Sequence, residues 1–178
     1  MSTKASYTPE EWNLIRKAPL TAGLVVVAAS PSGPLGVIKE SFAIGKLIGE
    51  TKVQGGSNEL VDALVADLAT AEGRQQAQPS EMRGMSPESI KSHALEACRQ
   101  VAALLDRKAP PVEAEGFKRW LLGVSTRVAD AAKEGGFLGF GGTRVSEQET
   151  AALKEIAAAL GVTPGADALA PSGGTRER

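Results

Sequence analysis

The chain has 178 residues, a formal net charge of -1 and 42% hydrophobic side chains, which suits one packed core and leaves no basic field for binding nucleic acid. Aromatic residues make up only 4%, so the core must come mainly from Ala, Leu, Val and Ile. Cys98 is the one cysteine and His93 the one histidine, which rules out an intrachain disulfide and leaves no zinc site of the Cys/His kind. No metal or cofactor is expected, and a reducing, cytoplasmic setting fits best.

Thr8-Pro9-Glu10-Glu11 sets a capping hydroxyl, a proline at the first helical position and acids in the first turn, so a helix is expected to begin there. Pro19 removes an amide and is expected to kink or restart that helix before the apolar run Leu20 to Ala29. That run is too short to span a membrane, and Glu10 and Glu11 spoil the basic flank that a signal peptide would need. The turn-forming stretch Ser30-Pro31-Ser32-Gly33-Pro34 breaks the chain, and a second helix is expected over roughly Leu35 to Ile48.

Ser57 is positioned to cap a helix that buries Leu60, Val61, Leu64, Val65 and Leu68, with Glu59, Asp62 and Asp67 outside. Glu72 to Met85 is polar and irregular and reads as a surface connection without fixed secondary structure. Ser86-Pro87-Glu88 opens a helix carrying Ile90, Ala94, Cys98, Val101 and Leu105 on one stripe, which Pro110-Pro111 stops. A helix over about Glu113 to Lys133 follows, with Phe117, Trp120, Leu121, Val124, Val128 and Ala131 inward and Lys118, Arg119 and Arg127 elsewhere.

After the glycine-rich stretch Gly135 to Gly142, Ser146-Glu147-Gln148-Glu149 forms a capping box ahead of Leu153, Ile156 and Leu160, and Gly161 supplies a left-handed cap. The expected organisation is a helical domain over residues 1–162 and a disordered tail over 163–178, whose proline, glycine and charge cannot offset the entropy of ordering. The fold class is therefore all-α, a single bundle of about six helices. Its core is expected to include Leu24, Val27, Leu64, Leu68, Val101, Leu105, Trp120, Val124, Leu153 and Ile156.

Two segments share a pattern: Glu40 is followed at +4, +7 and +8 by Ile44, Leu47 and Ile48, and Glu149 by Leu153, Ile156 and Ala157. Each follows a glycine-containing turn and paired alanines, Ala28-Ala29 and Ala131-Ala132, which suggests two helix-turn-helix pseudo-repeats; ordinary helical periodicity gives the same offsets. The second unit runs from Val128-Ala129-Asp130-Ala131-Ala132 through the Ser146 to Glu149 box to Leu160-Gly161-Val162. Over residues 128–162 it resembles the tellurite-resistance TerB-like helical family. The resemblance implies a helical, non-enzymatic, stress-associated interaction protein with a protein partner or self-association. The family's acidic Asp-Gly turn is replaced here by Lys133-Glu134-Gly135-Gly136-Phe137, leaving Asp130 and Glu134 as the only acids before the cap, too few oxygens for a calcium or magnesium site.

Two segments and two residues carry competing chemistry. Leu24 to Ser41 reads either as strand, loop and helix, the order of a phosphate cradle with Ser32, Gly33, Gly36 and Lys39 as contacts, or as a buried helix and tight turn; Lys39 lies three residues past Gly36, and Glu40 follows it, against the phosphate reading. Phe137, Leu138 and Phe140, within Gly136 to Gly142, are the partner-binding candidates; they either meet a partner or a membrane surface or fold back to seal the bundle. His93 reads as a surface or half-buried residue rather than a general base, and Cys98 as an inert packing residue rather than a nucleophile.

Overall fold

The chain was described from a computed structural model, which covers residues 2–29, 48, 58–134 and 147–164. Within these, α1 runs Pro9–Ala29, α2 Glu59–Ala69, α3 Ala71–Gln76, α4 Pro87–Lys108, α5 Pro111–Glu134 and α6 Glu147–Leu160, with short 3-10 turns at Lys4–Ser6 and Ser80–Met82. The architecture is an all-α bundle, with no strand among the described residues.

The helix starts follow from side chains that satisfy free amides. The Thr8 amide donates to Glu11 Oε2 at 2.8 Å and the Glu11 amide to Thr8 Oγ1 at 3.2 Å, a reciprocal capping box. Ser86 Oγ accepts from the Ser89 amide, and Pro87 takes the position where no amide is needed. Gly161, at φ +69°, closes α6: its amide reaches Ala158 O and the Val162 amide reaches Ala157 O, the paired bonds of a Schellman cap with Val162 buried behind it.

Four expectations are corrected. The helix does not restart at Pro19, because the element continues unbroken to Ala29 and the proline is buried within it. The cap of α2 is Asn58, not Ser57: Asn58 Oδ1 accepts from the Val61 amide at 3.1 Å while its Nδ2 donates to Glu113 O at 2.8 Å, tying α2 to α5. A Cβ on Gly116 would stand 2.8 Å from that Nδ2, so the bare backbone of α5 is what admits the amide. The Glu72 to Met85 connection has fixed structure, the helix α3 and a 3-10 turn, with Gly73, Ala77 and Met82 buried. Finally, α5 begins at Pro111, two residues before the expected start, since a proline at the first helical position initiates as well as it terminates.

Helix α1 is the axis of the bundle. It packs against α2, α3, α4, α5 and α6, and every residue from Leu20 to Val27 is buried. A segment apolar on nearly all sides, as Leu20 to Val27 is, has no solvent face to keep, which is why this part of α1 sits in the middle. Around it close Ala94, Cys98, Val101 and Leu105 of α4, Phe117, Trp120, Leu121 and Val124 of α5, and Leu153, Ile156 and Leu160 of α6. Each large aliphatic or aromatic side chain so buried contributes about 1.5–3 kcal/mol. Leu68 only packs against the edge of this cluster. Phe117 and Trp120 meet at 5.6 Å between ring centroids, a tilted pair at the centre.

The segments expected to form the second helix (35–48), the first pseudo-repeat, the glycine-rich stretch and most of the tail lie outside the described residues, save for Ile48, which is helical and buried.

Candidate functional site

The densest polar arrangement is a carboxylate hub where α1, α2 and α3 meet. Thr70 ends α2 and caps α3, its Oγ1 donating to Asp67 O at 2.7 Å and accepting from the Gly73 amide at 2.9 Å. A Cβ at Gly73 would stand 2.0 Å from Asp67 O, so only glycine lets α3 turn this tightly over the end of α2. Arg74 completes the junction by donating to Ala69 O at 2.6 Å. The turn fixes the last turn of α2 and with it the direction of the Asp67 side chain.

That side chain is 12% exposed and accepts three charged or polar donors: Arg16 Nε at 2.6 Å, Trp12 Nε1 at 2.9 Å and Lys4 Nζ at 2.9 Å. Arg16, only 8% exposed, also donates to Gln76 of α3, and Gln76 Nε2 donates in turn to Glu72 at 2.9 Å. Burial pulls the Asp67 carboxyl upward, but the hydrogen bonds from Arg16, Lys4 and Trp12 outweigh it and hold it down to about 2. A group that stays ionised throughout the neutral range neither gives nor takes a proton there, so the hub is an anchor and not an acid-base pair. Periodicity had put Asp67 on the solvent side with Glu59 and Asp62; those two do lie on the exposed side, and only Asp67 is turned inward. Lys118 was likewise expected away from the core yet is 6% exposed, its ammonium reaching a largely exposed Asp106 on α4.

A second polar corner lies between the N-terminal segment and α5. The Ser2 amide donates to both oxygens of Glu113, at 3.2 and 3.0 Å. Tyr7 packs on Trp12 at 6.2 Å between ring centroids, and its buried hydroxyl makes no well-formed hydrogen bond among the described residues. Burial raises the Tyr7 phenol above its ordinary value, with neighbouring Ser2 working against the rise.

The residues singled out for chemistry are not brought together. Cys98 is buried on the inward stripe of α4, and burial pushes its thiol up to about 12, with Arg99 opposing only weakly, so it does not form the thiolate that a nucleophile requires. His93 is exposed and its Nδ1 lies 3.0 Å from Ser89 O one turn earlier. Among the described residues no three His, Cys, Asp or Glu side chains are grouped to hold a metal, and no helix is long and apolar enough to cross a membrane. Leu24 to Ala29 is helical, so the strand that a phosphate cradle would begin from is not there. Ser32, Gly33, Gly36 and Lys39, and also Phe137, Leu138 and Phe140, lie outside the described residues.

The hub was missed because Asp67 and Arg16 each read as ordinary charges on a helix. The available signal was Thr70-Ala71-Glu72-Gly73, a second capping threonine directly after α2, which requires a tight junction there. No family model matches this chain, and no curated protein or solved structure matches it significantly.

Proposed function

We propose that the chain is a non-enzymatic helical interaction protein, in which the bundle is the scaffold and Phe137, Leu138 and Phe140 supply the contact to a protein partner or a second copy. The observation that carries this reading is that burial disables Cys98 as a nucleophile, while Asp67, which accepts three donors, is held as an anion. Among the described residues Val112, at 88% exposure, is the one large hydrophobic residue classed as exposed. The glycine-rich sequence that joins α5 to α6 holds two of the chain's four phenylalanines, a composition that suits close contact with another surface. A stress-associated, cytoplasmic role is what the TerB-like resemblance and the single buried thiol add to the proposal.

The test compares the parent protein with a Phe137→Ser/Phe140→Ser variant by light-scattering mass and by affinity capture. Self-association or capture of a defined partner that is lost in the variant, at unchanged helix content and melting temperature, supports the reading. A strictly monomeric parent that captures nothing overturns it. So does a variant that loses its fold, because the two rings would then belong to the core. Co-sedimentation with anionic vesicles that depends on the same rings would replace the protein partner with a membrane surface.

A further inference from the structure

The N-terminal residues Ser2–Tyr7 touch three helices, α1, α2 and α5, at a few points. Helix α1 is capped by its own Thr8 and Glu11, so its start does not depend on what precedes it. Asp67 keeps Arg16 and Trp12 when Lys4 is removed, and Lys4 is itself 58% exposed. Only Ser2 and Tyr7 of the segment are buried; Thr3 to Ser6 face solvent and bond mostly among themselves, through the Thr3 amide to Ser6 Oγ at 3.1 Å and the Ser6 amide to Thr3 O at 2.9 Å.

Docking has favourable and unfavourable parts. The favourable ones are the Ser2 amide on Glu113, Lys4 on Asp67 with its ammonium 5.9 Å from the centre of the Trp12 ring, and Tyr7 against Trp12. Against them stand the entropy of ordering six residues and the Tyr7 hydroxyl, which leaves water on docking for no more than the neighbouring Ser2 side chain.

We infer that Ser2–Tyr7 is a strap that docks over Trp12 and releases as a unit, without unfolding of the helices beneath it. Release uncovers one face of the Trp12 indole together with the Asp67 and Glu113 carboxylates, and docking closes that surface again. The inference is independent of the function proposed above.

Trypsin reads both motions in the full-length chain. Lys4–Ala5 is cut only from the released strap, whereas Arg99–Gln100, in the middle of α4, is cut only when the bundle opens. In native buffer the Lys4 cut, followed by intact mass, is expected at least tenfold faster than the Arg99 cut. Tyr7→Phe removes the poorly bonded buried hydroxyl and should slow the Lys4 cut roughly tenfold. Glu113→Ala should speed it by a similar factor beyond any change at Arg99. A core variant, Val124→Ala, should speed the Arg99 cut and leave the Lys4 cut unchanged. Equal rates at the two bonds in the parent, or a Tyr7→Phe protein cut at Lys4 as fast as the parent, would overturn the strap.

Discussion

The centre of the bundle and its Asp67 corner are held by opposite means. Around Phe117, Leu121 and Val124 the helices are joined by apolar side chains, each at zero exposure. At the corner, three donors from α1 and the N-terminal segment converge on one carboxylate whose direction is set by a glycine-dependent turn. The first arrangement tolerates approximate geometry and depends on volume; the second depends on the placement of single atoms and leaves a buried cation exposed to loss of its partner.

Substitutions should separate the two. The largest effect is expected for Trp120→Ala, about 4 kcal/mol in denaturant unfolding, since it empties the middle of the core. Asp67→Ala should cost about 3 kcal/mol, because the nearly buried Arg16 is left without its carboxylate. Replacing Arg16 and Asp67 together with apolar residues of similar size should recover much of that loss, and a double variant no better than Asp67→Ala alone would contradict this account of the corner.

Acid should attack the corner before the core. Asp67 titrates at about 2 in the folded chain against an ordinary 3.8, so its folded-state value is depressed. Its contribution is therefore complete above about pH 4 and lost as pH falls toward 2, amounting to about 2 kcal/mol. Unfolding free energy measured from pH 5 to pH 2 should fall in the parent and fall less in Asp67→Asn; parallel curves would mean that other carboxylates govern acid sensitivity.

Gly73→Ala is expected to cost about 2 kcal/mol despite a better helix former in α3, since its methyl group would overlap Asp67 O. A neutral result by thermal melting would show that the junction yields readily. The smallest effect belongs to Lys91→Ala, whose 2.8 Å contact with Glu155 lies on a half-exposed surface between α4 and α6 and should change stability by only about 0.5 kcal/mol or less.

The same contrast explains what the sequence made legible. Thr8-Pro9, Ser86-Pro87, Pro110-Pro111 and Gly161 act within one turn of the backbone, and each marks a helix end in the structure. Inward stripes such as Val101 with Leu105 and Leu153 with Ile156 follow from helical spacing alone, and all four residues are buried. Asn58 rather than Ser57 caps α2: either residue type caps well, and the Asn58 amide also reaches Glu113 O on another helix, which no local pattern shows. Asp67 faces inward because of partners 51 and 55 residues away in the chain, a distance no local pattern covers. Cys98 was read as a packing residue, and its burial agrees.

The enclosure of α1 bears on how the molecule is made. Ribosomes deliver Leu20 to Val27 well before α4, α5 and α6, the three helices that wrap most of that segment. At ordinary elongation rates the greasy segment waits on the order of ten seconds for its covering to emerge. Until then α1 has little to bury its apolar sides against, so completion of the fold should follow release of α6 rather than accompany translation.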